Sequence, residues 1–347
     1  MTEASPHPAL AEPLAALGRR LFHGPGSHSG GELHGLRRLS GGASQETWAF
    51  SFNTPRGPRP LILRRKPNDR QSDLAAGLET EAVLLRLAAE MGARVPPVFY
   101  VLAPEDGCGT GFIMDRLEGE TIPRKILRDA EFAHAREVLA RDCGEALSLI
   151  HRIATARLPK TLRAAPGSVR LAELERTYAA INRPNPVFAL ALRWLAAHHP
   201  PDPACLALVH GDFRHGNLMI GPDGLVGVLD WELAHLGDPM EDLGWICVPS
   251  WRFGAIEKPV GGFGSRRSLF AAYEAAGGAP VDPFRVRFWE VFGALQWGLM
   301  CAGMAEVYRS GTDASVERAM IGRRASEVEI DLLDYIAPLV HEADDAG

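Results

Sequence analysis

The chain has 347 residues, 46% of them hydrophobic and 23% charged, with a formal net charge of −6; this length allows two lobes with separate cores, and the acidic balance gives no reason to expect nucleic acid as a partner. No apolar run approaches the roughly 20 residues that cross a bilayer, so no membrane partner is expected. The five cysteines (Cys108, Cys143, Cys205, Cys247, Cys301) lack the paired spacing of zinc or redox sites, so buried, reduced thiols and a cytoplasmic location are the expectation.

Apolar residues recur at helical spacing from Leu10 to Phe22, broken by Glu12, Arg19 and Arg20, charges that a secretory signal would not carry. With the Gly, Ser and His-rich stretch 23–31, residues 1–30 read as an N-terminal helix and linker. Residues 31–118 carry the signals of a small sheet with one helix. Thr47–Phe52, Leu61–Arg64, Val98–Leu102 and Phe112–Met114 are strand candidates, and Glu79–Met91 has helical spacing with Val83, Leu84 and Leu87 on one face. Before the first of these strands, Gly41, Gly42 and Ser44 form a loop whose backbone N–H groups and hydroxyl could approach phosphate, although a Gly-Gly turn commonly does nothing but turn.

Residues 119–347 are mostly helical in pattern: 132–153, 171–181, 187–198, 268–276, 285–308 and 323–335. Between the third and fourth of these the pattern changes. An apolar lead-in, Leu206, Leu208 and Val209, opens into His210-Gly211-Asp212-Phe213-Arg214-His215-Gly216-Asn217. Asp212 and Asn217 lie five positions apart, the spacing of a protein-kinase catalytic loop. A second strand pattern, Leu225–Leu229, ends in Asp230 after a Gly-Pro-Asp-Gly turn. In a site of that kind the first aspartate accepts the proton of the substrate hydroxyl, while the asparagine and the second aspartate hold magnesium against the nucleotide phosphates. His210 reads as a residue that bonds backbone near the loop, Asp238 as a turn residue, Asp242 as the cap of a helix that follows, and His215 as a solvent-side histidine.

The segment from His210 to Asp242, with Asp230-Trp231-Glu232 and Gly237-Asp238-Pro239, resembles the aminoglycoside phosphotransferase-like kinases, in particular the branch associated with acyl-CoA dehydrogenases. The resemblance runs from about Leu39 to Tyr335. It implies an α+β, two-lobed protein-kinase-like fold, with a small sheet-rich N-lobe that binds nucleotide and a larger, mostly helical C-lobe that carries catalysis. It also implies ATP and magnesium as cofactors, Asp212 as the catalytic base, and Asn217 and Asp230 as metal ligands. Gly41, Gly42 and Ser44 become the nucleotide-covering loop. Kinases place a lysine on the third strand; here Arg64 stands in its place, with Lys66 on the same face by strand alternation and Glu81 as the expected partner of Arg64. The stretch through Asp115 and Leu117 resembles the hinge that gives backbone hydrogen bonds to adenine.

Beyond Pro249, the stretch bearing Arg252, Arg266, Arg267, Arg285 and Arg287 has more basic than acidic side chains. Kinases for polycationic drugs are expected to line the acceptor site with carboxylates. The expected partner is therefore a neutral or anionic hydroxylated small molecule, which the resemblance narrows to a hydroxyacyl-CoA or related hydroxy acid. An aminoglycoside or macrolide resistance kinase and a nucleotide-binding pseudokinase or scaffold are the competing readings. The oligomeric state stays open.

Overall fold

The computed structural model describes residues 8–22, 30–41, 45–66, 76–181 and 183–337. Its N-terminal part comprises helix α1 (Pro8–Phe22), strands β1 (Leu33–Gly41), β2 (Glu46–Thr54) and β3 (Gly57–Lys66), helix α2 (Leu78–Glu90), and strands β4 (Val98–Val101) and β5 (Thr110–Asp115). The five strands form an antiparallel sheet in the order β1-β2-β3-β5-β4. β3 is therefore central. Arg65 and Lys66, on this central strand, are buried. β1 was not anticipated. It is an edge strand with two register irregularities and Gly35 at φ 62°, so neither apolar alternation nor a continuous ladder marks it in the sequence.

Two apolar clusters support the site. One face of the sheet packs against α1, through Leu10, Leu14 and Leu17 against Trp48, Phe50, Phe52, Leu61, Leu63 and Ile113. The other core is continuous from α2 into the rest of the molecule, through Leu84, Leu85 and Phe112 to Leu139, Phe213 and Leu243. On α2 the buried stripe runs through Leu78, Glu81, Leu84, Leu85 and Leu87, while Val83 is exposed and not on the buried face as expected.

The remainder is helical with short two-stranded ladders: α3 (Pro123–Arg128), α4 (Ala133–His151), α5 (Gly167–Ala180), α6 (Pro186–Ala197), β6 (Ala207–Val209), β7 (Leu218–Gly221), β8 (Gly224–Val228), β9 (His235–Gly237), α7 (Met240–Trp245), α8 (Arg266–Ala275), α9 (Pro283–Arg309), α10 (Val316–Arg323) and α11 (Ala325–Ile336). Strand β6 pairs with β9, and β7 pairs with β8. These ladders present the two aspartate-bearing loops side by side. At the β7–β8 turn, Gly224 has φ 131°, and a Cβ there would come within 2.4 Å of a carboxylate oxygen of Asp142. That oxygen also accepts hydrogen bonds from the Leu225 N–H and from Arg94, so the turn, α4 and the connection from α2 are fixed together. Four cysteines are buried and Cys205 is exposed; all five are free thiols. Among the described residues, no helix is long and apolar enough to cross a membrane.

Candidate active site

The loop between β6 and β7 carries Asp212 and Asn217, and the turn after β8 carries Asp230. Backbone contacts bring them together: the Leu229 N–H donates to the Asn217 carbonyl at 2.8 Å, and the buried His210 donates its Nε2 hydrogen to the Leu229 carbonyl at 3.0 Å. With Nε2 protonated, His210 Nδ1 accepts from the Asp212 N–H at 3.3 Å. Burial lowers the proton affinity of this imidazole, which fits a neutral ring.

Asp242 lies inside α7, and does not cap its N-terminus as expected. Its fully buried carboxylate accepts from the N–H groups of His210 (2.8 Å) and Gly211 (3.0 Å) and from His151 Nε2 (3.0 Å), whose Nδ1 lies 3.0 Å from the Tyr273 hydroxyl. Asp238 is a turn residue that accepts from the Met240 N–H and pairs with Arg285. His215 is buried, not solvent-side as expected. Its Nδ1 donates to the Gly261 carbonyl at 2.8 Å and its ring lies between Phe253 and Phe263.

Burial pushes the His215 imidazole down from 6.5 to about 4. The unfolded chain therefore binds a proton at this residue near pH 6.5 that the folded chain takes up only near pH 4. Stability contributed here is complete above pH 6.5 and is lost as pH falls towards 4. Thermal unfolding midpoints measured across that interval are expected to fall with acidification, and to fall less steeply in His215→Gln. Parallel profiles would contradict this.

Asp212 is surrounded by donors. Its Oδ2 accepts from Asn217 Nδ2 at 2.6 Å, its Oδ1 from Trp245 Nε1 at 2.9 Å, and Arg214 Nε reaches both oxygens at 3.0 and 3.2 Å. Burial raises the proton affinity of Asp212, while Arg214, His210 and the Trp245 hydrogen bond oppose it. The site thus holds a desolvated carboxylate in one orientation.

Arg64 reaches across from β3. Its Nη1 and Nη2 lie 3.0 and 3.1 Å from Asp230 Oδ1, Nη2 donates to Gln45 at 2.9 Å, and Nη1 lies 3.3 Å from Glu81. Glu81 is buried on α2, and burial pushes its carboxyl up to about 8 against the opposing charge of Arg64. Asp230 has φ 62°, a left-handed conformation that costs an L-residue of order 1–3 kcal/mol and concentrates at functional sites.

The oxygens here suit magnesium, which takes oxygen ligands and keeps several waters. The amide nitrogen of Asn217 is engaged by Asp212, which leaves its amide oxygen for a ligand, and Asp230 Oδ2 carries no hydrogen bond among the described residues. Among the described residues no three His, Cys, Asp or Glu side chains cluster as a self-sufficient metal cage. A cation at Asn217 and Asp230 therefore needs phosphate oxygens to complete its shell.

Gly42 and Ser44 lie outside the described residues, and Gly41 ends β1 opposite Glu46. Asp115 sits at the end of β5 with its carboxylate held by Arg59 and its N–H by the Pro97 carbonyl. Leu117 follows, packed against Gly227. Of the arginines expected near an acceptor, Arg266 is forked onto Glu290 at 2.7 Å and Arg285 pairs with Asp238, so both are neutralised. Arg252 and Arg287, with Arg324, line a groove of about 520 Å³ that also carries Glu327, Asp331 and Asp334. The sequence reading missed Arg214 and Trp245. Arg214 stands two residues after the aspartate, where its spacing alone gives it no role. Trp245, 33 positions away, carries no local signal.

A family model described as the Phosphotransferase enzyme family matches residues 35–289. Among curated proteins the chain is similar to acyl-CoA dehydrogenase family member 10 of Mus musculus, 28% identical over 257 residues, covering 69% of this chain and 22% of that protein. It is also similar to acyl-CoA dehydrogenase family member 11 of Gallus gallus, 29% identical over 220 residues, covering 60% and 27%. The chain thus spans about a quarter of these relatives. Among solved structures, a Ralstonia eutropha chain named for aminoglycoside phosphotransfer superposes with a TM-score of 0.72 at 21% identity, covering 94% of this chain and 97% of that one. Spectinomycin phosphotransferase, solved with ADP and spectinomycin, gives 0.61 at 16% identity, covering 95% and 99%. The fold is the two-lobed, kinase-like fold of these phosphotransferases: a sheet-rich N-lobe and a helical C-lobe.

Proposed function

The chain belongs to the Phosphotransferase enzyme family, and from that membership we propose that it moves a phosphoryl group from ATP to a hydroxyl of a small molecule, with Asp212 as the base. The observation that carries this reading is the convergence of Asp212, Asn217 and Asp230 from two adjacent loops, facing Arg64 from the sheet. Phosphoryl transfer asks little covalent chemistry of a protein; positioning and charge stabilisation do most of the work. Asp212 orients the acceptor hydroxyl and takes its proton as the oxygen–phosphorus bond forms. Arg64 exchanges Asp230 for phosphate oxygens and keeps Glu81 as its rear partner, and a guanidinium forks such oxygens without losing its charge. Magnesium, held by Asn217 and Asp230, supplies neutralisation of the phosphate charge. The backbone at Asp115 and Leu117 receives the adenine.

For the acceptor we favour a hydroxyacyl thioester of coenzyme A or a related hydroxy acid. Support comes from the relatives' names, which place such a domain in polypeptides called acyl-CoA dehydrogenases. Release of ADP across hydroxy acids, their CoA thioesters, amino alcohols, sugars, aminoglycosides and macrolides tests the reading. Turnover confined to the antibiotics would replace it with a resistance kinase.

Removing Arg64 takes away charge-assisted hydrogen bonds worth about 1.5–3 kcal/mol each. Arg64→Ala is therefore expected to weaken nucleotide binding, measured by calorimetry, by about 10- to 100-fold. Arg64→Lys should recover part of that loss. Unchanged affinity in Arg64→Ala would remove Arg64 from the nucleotide site.

A further inference from the structure

Arg214 is held more firmly than phosphoryl transfer alone explains. Its Nε engages both oxygens of Asp212 at 3.0 and 3.2 Å, and its guanidinium carbon lies 5.0 Å from the centre of the buried Trp251 ring. Gly216, at φ 121°, leaves room for it: a Cβ there would come within 2.7 Å of Nη1. Yet only one of its five N–H groups is used by another described residue. Neither Nη1 nor Nη2 donates a hydrogen bond to another described residue, and the side chain is 29% exposed.

The carboxylate of Asp212 tells which way those free donors face. Oδ2 is turned to Asn217, on the side of the phosphates and metal, and Oδ1 to Trp245. Arg214 Nε spans both oxygens, and its guanidinium lies against Trp251, whose ring packs 5.3 Å from that of Trp245, the partner of Oδ1. It therefore stands beside the base on its Trp251 flank, next to the place where an acceptor hydroxyl is held between Asp212 and the γ-phosphate.

We infer that Arg214 selects the acceptor: its free N–H groups receive an acyl oxygen, of a carboxylate or a thioester carbonyl, near the reacting hydroxyl, and its charge repels acceptors with an ammonium group there. The inference rests on Asp212 being the base. A planar guanidinium matches a carboxylate in two-point geometry, and a cation desolvated against an indole face is a poor neighbour for a second cation. Arg214 also opposes protonation of Asp212. An effect passed through the base alone, however, would change every acceptor alike, whereas selection changes the ratio between acceptors.

The test uses the full chain as wild type, Arg214→Gln and Arg214→Lys, with magnesium and a non-hydrolysable ATP analogue present. Binding of β-hydroxybutyrate, its CoA thioester and isopropanolamine is followed by ligand-observed NMR. Thermal midpoints and nucleotide affinity confirm that each variant is folded. The wild type should prefer the acyl probes, and Arg214→Gln should lose that preference by about 10-fold or more, the scale of one charge-assisted hydrogen bond; Arg214→Lys should keep part of it. A loss for the free acid only identifies a carboxylate as the ligand, and a loss for the thioester identifies the carbonyl. Equal weakening of all three probes, wild-type preference for isopropanolamine, or no binding of either acyl probe overturns the assignment. Failure of the base itself reads differently: Asp212→Asn would then retain transfer whatever Arg214 does.

Discussion

Replacing Asp212 by alanine should lower the rate of phosphoryl transfer by about 10²–10⁴-fold, the usual contribution of a positioned general base, while nucleotide affinity changes little. The separation follows from position. Asp212 is bonded to Asn217, Trp245 and Arg214 rather than to Arg64, so its removal leaves the Arg64, Glu81 and Asp230 cluster intact. Burial raises the proton affinity of this carboxylate, as a base requires, and Arg214, His210 and the Trp245 hydrogen bond oppose that rise. Single-turnover transfer and calorimetric binding of nucleotide, measured on the same preparation, read the two effects independently. A variant that transfers at near wild-type rate would remove Asp212 from the reaction. One that loses nucleotide binding as well would make its role structural.

The largest loss of stability is expected at Asp242. Its carboxylate is buried and accepts from two backbone N–H groups of the loop that carries Asp212 and from His151. Burial alone would raise its pKa, but the hydrogen bond and charge of His151, with His210, hold it below the ordinary carboxylate range. Asp242→Ala strands those donors in the interior, which costs about 3–5 kcal/mol, as breaking a buried pair does. The thermal midpoint should fall by roughly 4–7 °C. Transfer should fall with it, because His210 and Gly211 position Asp212. A midpoint within a degree or two of wild type would show that the loop is held by other contacts. The folded-state pKa is depressed, so this stability is present above the unfolded value of 3.8 and is lost as pH falls through the folded value.

The parts of the site legible in the sequence were those set by short-range spacing. Asp212 and Asn217 share one loop, and Asp230 follows on the neighbouring ladder, so five positions and a hairpin sufficed to group them. The long helices were legible for a similar reason: α4 carries an apolar stripe and α9 a long apolar segment buried on several sides, and their ends fell within two residues of expectation. Contacts between distant segments were harder to see. Asp242 looks like a helix cap because its neighbours form a turn, whereas its backbone partners, His210 and Gly211, lie 32 and 31 residues back. His215 looked like a surface residue because its burial depends on Phe253 and Phe263, far along the chain. The arginines beyond Pro249 looked like a basic lining because their carboxylate partners, Glu290 and Asp238, come from other elements. β1 escaped notice because an irregular edge strand has no periodic signature.

The most direct test of the central claim is transfer of label from the γ-position of ATP to a hydroxyl compound, followed in wild type and Asp212→Asn with magnesium present and again after its chelation. We predict a labelled phosphomonoester of the acceptor in wild type only with magnesium, and its near-complete loss in Asp212→Asn while nucleotide still binds. Equal labelling by the two proteins, or nucleotide binding with no label on any hydroxy acid, thioester, sugar or amino alcohol, would contradict the account.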